Sequence, residues 1–162
     1  MRQKIPYFED KDNGLRPGLP NVQRNTVMVI LWNPQTAEVG CLDWGKFGWK
    51  TFVVGGVEEE TPYDAAIREV AEETGYIDIE FLVELGKLRA GYFATHKGEN
   101  RIARVTGYLF KLKSEERIIV GSGESHLHIF KWIPWKEVSS FLTPSSNKYL
   151  WGKARPYLTS LA

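Results

Sequence analysis

The feature that most constrains this chain is a short, sharply bounded helix predicted over residues 62–74. Thr61 suits the N-cap, Pro62 suits the first helical position, and Gly75 follows the last turn. A helix of this length must dock one face on other elements to be stable. Its apolar positions predict docking on a sheet through Tyr63, Ile67, Val70 and Thr74.

Three carboxylates crowd a different side of this predicted helix. Glu69, Glu72 and Glu73 are spaced i, i+3 and i+4, so they share an arc of about 100° opposite the apolar face. A solvated acidic face is one interpretation. A cation site is the other, because the acids lie late in the helix, where the macrodipole disfavours them, and Arg68 is the only base nearby. Magnesium prefers oxygen ligands, so we predict that these three residues bind Mg²⁺ or Mn²⁺.

Strand-forming runs lie both before and after the helix. Hydrophobic patterns predict strands at 26–32, 39–42, 50–54, 77–88, 102–112 and 127–133, and helices at 135–142 and 147–157. The first run is apolar throughout, as expected of a strand buried on both faces. Prolines and glycines predict an irregular arm over residues 1–22, which leaves 23–162 as a single domain. This order of elements favours an α/β fold with a mixed sheet between helices.

The composition limits the classes of partner. The 162 residues are 43% hydrophobic, which suits one domain with a single core. With 21 basic and 20 acidic residues, the net charge of +1 gives no reason to expect a nucleic acid or an anionic membrane. Cys41 is the only cysteine, so we expect a reducing, cytoplasmic compartment. No apolar run is long enough to span a bilayer.

The segment 55–76 resembles the Nudix box. That signature is Gly, five residues, Glu, seven residues, Arg-Glu, an aliphatic, any residue, Glu-Glu, any residue, Gly and an apolar residue. From Glu60 onward every defined position is matched, with Tyr76 as the apolar one. The resemblance implies a Nudix-like α/β/α sandwich. It also implies a metal-dependent pyrophosphohydrolase that cleaves a diphosphate linkage in a nucleoside diphosphate derivative, with Arg68 paired to Glu60 as a brace for the loop.

The loop before the helix departs from the signature. Four residues separate Gly55 from Glu60, where the family has five. In the family the glycine offers its backbone carbonyl to the metal, so the resemblance implies this role for Gly55. The helix register is unchanged, which favours Glu72 and Glu73 as ligands. The short loop supports an alternative, a catalytically weak or silent Nudix-like binding or regulatory module.

Several residues outside the box are candidates for chemistry. Glu124 lies in a late loop, where Nudix enzymes often place a further acid; it is either a metal ligand or base, or an exposed glutamate. Trp49 can stack on a base or pack in the core, and Arg101 can contact phosphate or lie in a solvated loop. His126 and His128 alternate along one predicted strand; they either donate to a phosphate or lie at the surface, and we expect the surface role.

A narrower resemblance involves residues 41–44, 49–56 and 96–101. These segments look like the Nudix module inserted in some bacterial leucyl-tRNA synthetases, a likeness that covers most of residues 25–135. It implies that the chain is a part of such an enzyme or a free-standing relative. The predicted partner is a small nucleotide-like substrate, with nucleic acid expected only in the synthetase context; the sequence does not indicate an oligomeric state.

Overall fold

The computed structural model of the chain describes residues 4–120 and 127–161, which form one mixed sheet with three α-helices. The strands are β1 Tyr7–Glu9, β2 Asn21–Asn33, β3 Glu38–Asp43, β4 Lys50–Thr51, β5 Val53–Gly56, β6 Ile79–Ala94, β7 Glu99–Leu112 and β8 Ile129–Pro134. The helices are α1 Pro62–Thr74, α2 Val138–Phe141 and α3 Ser145–Leu161, with single 3-10 turns at Gly45–Phe47 and Trp135–Glu137.

The sheet has the mixed topology that the sequence predicts. Its strand order is β1-β6-β7-β2-β3-β4, with β5 also paired to β2 and β8 to β3. The pairs β1–β6 and β2–β7 are parallel, whereas the others are antiparallel. The parallel pairing of β2 with β7 places the start of β2 beside the start of β7, with Val22 opposite Arg101. The predicted α/β class is therefore confirmed.

Strand β2 is the centre of the core and is buried on both faces, as predicted. Alternate residues of a strand point to opposite sides of a sheet. One set packs in a cluster with Val70 of α1 and consists of Val27, Val29 and Leu31. The other set packs in a cluster with Trp151 of α3 and consists of Met28, Ile30 and Trp32. The sheet therefore lies between α1 on one face and α3 on the other.

Helix α1 has the predicted ends and a docked face that differs in part from the prediction. The Thr61 side chain accepts a hydrogen bond from the backbone N–H of Asp64 at 3.1 Å, and Gly75 adopts a left-handed φ of 85°. Val70 and Thr74 are buried as predicted, and Tyr63, although 40% exposed, packs its ring against aromatic residues of β6 and β7. Ile67 is 36% exposed, and the buried face also includes Ala65 and Ala66. These small side chains let the helix backbone approach the sheet closely, and the larger apolar residues fall at its border.

The arm before β2 is more regular than predicted. Residues Tyr7–Glu9 form strand β1, and β2 already begins at Asn21. The Asn13 amide donates to the carbonyl of Phe93 at 2.7 Å, and the Asn100 amide donates to the carbonyl of Arg16 at 2.8 Å. These bonds fasten the arm to the β6–β7 hairpin, so it forms part of the same folded body. None of the helices in the described residues is long and apolar enough to cross a membrane.

Candidate active site

A cavity of about 620 Å³ brings together residues from α1, the sheet and the arm. One part of its wall is the Nudix-like segment, with Gly55, Gly56, Glu69, Glu72 and Glu73. Another part is aromatic and polar, with Trp44, Trp49, Tyr92, His96 and Arg101. Except for Glu124, which lies outside the described residues, every predicted site residue borders this one cavity. A volume of this size is typical of small-molecule sites.

Glu69 is the most deeply buried of the three carboxylates. Only 8% of its side chain is exposed, and a Cβ atom added at Gly55 would overlap its carboxylate. Any side chain at position 55 would therefore have to displace the Glu69 carboxylate from its present place. Burial, together with the nearby Glu73, raises the pKa of Glu69 to about 7, against the opposing effect of Arg68. The prediction that Glu69 lies opposite the docked face was wrong: it shares the buried side with Val70.

Arg68 braces the loop against the helix, as the resemblance implies. Its Nε donates to both carboxylate oxygens of Glu60 at 3.1 Å, and its Nη2 donates to the carbonyl of Gly56 at 2.9 Å. The hydrogen bond from Arg68 holds the pKa of Glu60 below its usual range. The loop between Gly55 and α1 is therefore held against the helix, although it is one residue shorter than the family signature. Arg68 Nη1 also donates to Glu69 at 2.9 Å and to Glu72 at 3.1 Å, so these acids do have a local counter-charge.

The carboxylates offer the right donor atoms for a hard cation, although each is engaged by a side chain. Glu69 and Glu72 accept from Arg68, and Glu73 contacts His128. Within residues 4–120 and 127–161, no three acidic, histidine or cysteine side chains converge as a ready metal cluster. Glu73 and Glu72 both raise the pKa of Glu69, so the three negative charges are close enough to repel. A divalent cation would relieve that repulsion, and the donor set fits one.

The aromatic part of the wall is held rigidly. Trp49 meets the edges of Trp44, Tyr92 and His96 with ring centroids 5.8 to 6.0 Å apart. Its Nε1 donates to a carboxylate oxygen of Asp10 at 3.1 Å. Trp44 is 7% exposed and mainly fills the core, whereas Trp49 is half-buried and borders the cavity. Trp49 thus borders the cavity and also packs against its neighbours; its contact with a planar group stays a prediction.

Arg101 and the histidines differ from their predicted environments. Arg101 lies on β7 with 7% exposure and donates through Nε to Glu99 at 2.9 Å, so it does not lie in a solvated loop. It still borders the cavity, which keeps it available to a phosphate. His128 is buried rather than at the surface, while His126, like Glu124, lies outside the described residues.

Two further cavity residues were not found from the sequence. Arg24 on β2 lies over Gly56, where a Cβ would overlap its Nη2, and no hydrogen bond or ion pair joins its side chain to another described residue. Period-two alternation could have found it, because Arg24 shares a strand face with Thr26 and Met28, which also line the cavity. Asp10 had no such signal, because the arm's return to the sheet depends on long-range contacts.

The family model for the NUDIX domain matches residues 22–152 of the chain. The chain belongs to the Nudix family. An RNA pyrophosphohydrolase from a Nitratiruptor species is 29% identical over 98 residues, which cover 57% of this chain. The match spans 63% of that protein's length. The family match confirms the predicted Nudix class.

Solved structures show the same fold. The C. elegans Ap4A hydrolase has a TM-score of 0.62 at 18% identity, covering 85% of this chain and 99% of its own. The E. coli dihydroneopterin triphosphate pyrophosphohydrolase has a TM-score of 0.61 at 19% identity, covering 83% and 97%. The predicted Nudix-like architecture is thus confirmed, whereas the likeness to the synthetase-inserted module stays a prediction.

The buried Glu69 makes the metal-free protein sensitive to pH. Its folded pKa of about 7 lies above the value of 4.5 expected in the unfolded chain, so the folded state prefers the protonated form. Its unfavourable contribution is absent below about pH 4.5, grows as pH rises and is complete above pH 7. In EDTA, Glu69→Gln should therefore exceed the wild type in stability by roughly 2–3 kcal/mol at pH 8. Denaturant unfolding at pH 5 and pH 8 tests this; an equal difference at both values would contradict it.

Proposed function

We propose that this chain hydrolyses a diphosphate linkage in a small nucleoside diphosphate derivative, using Mg²⁺ or Mn²⁺. The observation that carries the proposal is the single cavity, which joins the carboxylates of α1 to an aromatic wall. A substrate with a charged diphosphate and a planar group matches both parts of that wall. The similar proteins are an RNA pyrophosphohydrolase, an Ap4A hydrolase and a dihydroneopterin triphosphate pyrophosphohydrolase, and their activities support the same chemistry.

Glu69, Glu72 and Glu73 would hold the cation, together with the backbone carbonyl of Gly55. Bound there, a divalent cation would screen the diphosphate charge and stabilise charge on the leaving oxygen. Glu72 is the carboxylate most free to reorient, because 56% of its side chain is exposed and its bond to Arg68 is a surface ion pair.

The remaining residues bind and orient the substrate. Arg24 and Arg101 border the cavity, and their positive charges suit the phosphate oxygens. Trp49, held in place by Asp10, provides a surface on which a planar group can stack. Water adds to one phosphorus as the bridging P–O bond breaks, which gives two phosphate-containing products. Glu69 and Glu124 are the candidates for the base that takes the proton of that water.

The test is a hydrolysis screen over nucleoside diphosphate derivatives that differ in the attached group. Each compound is assayed with the wild type in Mg²⁺, in Mn²⁺ and in EDTA. We expect metal-dependent release of two phosphorylated products from at least one compound. Binding of these compounds with no product from any of them, under all metal conditions, would contradict the proposal.

A second candidate is a Nudix-like binding or regulatory module with little or no turnover. Two observations favour it: the shortened loop, and the hydrogen bonds by which Arg68 occupies Glu69 and Glu72. Against it stands the intact Arg-Glu-x-x-Glu-Glu pattern of α1. The two candidates differ in turnover, so the screen separates them.

The length of the loop gives a further prediction. Inserting a glycine between Glu59 and Glu60 restores the family spacing without changing the positions of the carboxylates on α1. Because the reach of the Gly55 carbonyl depends on loop length, the insertion should raise turnover with little change in metal affinity. Small misplacements of reacting groups can lower rates by about a hundredfold, which sets the scale of the gain. Unchanged or lower turnover would mean that the short loop is a fully working variant.

A further inference from the structure

The imidazole of His128 contacts the carboxylate of Glu73 across the site. His128 directly precedes β8, the strand that pairs with β3, whereas Glu73 belongs to α1. His128 Nε2 contacts Glu73 Oε2 directly. Only 2% of the His128 side chain and 11% of the Glu73 side chain are exposed. The contact is therefore enclosed, where the attraction between polar atoms is stronger than in water. The Oε2 atom of Glu73 is buried without a hydrogen bond to the described residues, so its polar interaction is this close contact with the ring.

The histidine ring is fixed from its other side. Trp44 meets it edge-on, with ring centroids 4.7 Å apart, and Trp44 is itself held by a 3.1 Å hydrogen bond from its Nε1 to Thr51. The Nδ1 atom of His128 is buried and has no hydrogen-bond partner among the described residues. Nε2 is therefore the ring nitrogen through which His128 meets a polar group, and that group is the carboxylate of Glu73.

Glu73 needs a polar partner to hold its position. It lies close enough to Glu69 to raise the pKa of that residue, so the two carboxylates repel each other. The positively charged side chain of α1, Arg68, is already bonded to Glu60, Glu69 and Glu72. The contact with His128 holds Glu73 beside Glu69 against this repulsion.

We propose that His128 is a positioning residue that fixes the Glu73 carboxylate in the orientation from which it binds the divalent cation. The inference rests on the proposed function, because it assigns His128 to the metal ligand of that same site. Its effect should appear in metal affinity, and in the metal dependence of turnover, more than in the KM for substrate. Partners that orient metal ligands in this way typically contribute 10- to 100-fold in metal affinity or activity.

Three substitutions at position 128 separate positioning from packing. In His128→Gln the side-chain amide nitrogen reaches the place of Nε2, in His128→Asn it reaches only the place of Nδ1, and His128→Leu has no donor. Mn²⁺ affinity is measured by titration without substrate, and kcat, KM and melting temperature are measured on the same samples. We expect Mn²⁺ affinity to fall about 10- to 100-fold in His128→Leu and His128→Asn and to recover in His128→Gln.

The outcomes distinguish this inference from the proposed function. If the wild type binds Mn²⁺ and turns over substrate, and His128→Leu binds Mn²⁺ equally well, only the positioning role is overturned. Equal losses in the glutamine and leucine variants, in step with their melting temperatures, would also overturn it, because they would show a packing role. A wild type that binds no Mn²⁺ overturns both proposals.

Discussion

Replacing Glu73 by glutamine is expected to lower metal-dependent turnover by more than about a hundredfold, the upper end of the loss seen for groups that only orient metal ligands. The substitution keeps the shape of the side chain, and the amide oxygen can still accept from His128. What it removes is one negative charge from the cluster formed with Glu69 and Glu72. Mn²⁺ affinity should fall in the same variant, because a neutral amide is a weaker ligand than a carboxylate for a hard cation.

Glu59→Gln is the matched control for this loss. Glu59 lies in the loop before α1 and is exposed, and it does not border the cavity. The same change of charge there should leave turnover and Mn²⁺ affinity close to wild type. Equal Mn²⁺ affinity in the wild type and in Glu73→Gln would contradict the assignment of Glu73 as a ligand.

The largest expected effect on stability is that of Val70→Asp. Val70 has no exposed surface and packs in the cluster that joins α1 to β2. The substitution buries an unpaired carboxylate and removes apolar contacts, so it should lower the free energy of unfolding by roughly 2–5 kcal/mol. For a domain of this length, that loss corresponds to a fall in melting temperature of about 4–20 °C.

Ile67→Asp provides the comparison on the same helix. Ile67 is 36% exposed, so the same substitution there should lower stability by less than about 1 kcal/mol. Chemical denaturation of both variants measures the difference directly. Similar losses at the two positions would mean that α1 docks through both residues, as the sequence pattern alone predicts. An unchanged midpoint in Val70→Asp would mean that this face lies outside the core.

Local signals in the sequence predicted much of the architecture. The ends of α1 follow from Thr61, Pro62 and Gly75, whose preferences act over a few residues. The burial of β2 on both faces follows from its uninterrupted apolar run. The brace between Arg68 and Glu60 was implied by the resemblance of this segment to the Nudix box. In each case the information lies within one segment of the chain.

The features that the sequence did not predict depend on contacts between distant segments. The orientation of α1 about its own axis exposes Ile67 and buries Glu69. It is set by the close packing of Ala65 and Ala66 on the sheet, which helical periodicity does not show. The arm joins the cavity because Asp10 meets Trp49, 39 residues away in the chain. His128 meets Glu73 only because β8 returns to the sheet beside β3. Alternation placed His128 on a strand face but could not tell which face is buried.

Hydrolysis in H₂¹⁸O shows directly whether the chain cleaves a diphosphate linkage with water. A compound that the chain cleaves in the metal-dependent screen is incubated in labelled water, and the products are analysed by mass spectrometry. We expect two phosphate-containing products, one of which carries a single ¹⁸O atom on phosphorus. We also expect EDTA and Glu73→Gln to suppress this labelling, whereas Glu59→Gln should not. Products without ¹⁸O on phosphorus, or labelled inorganic phosphate released from a monoester, would contradict hydrolysis of a diphosphate linkage at this site.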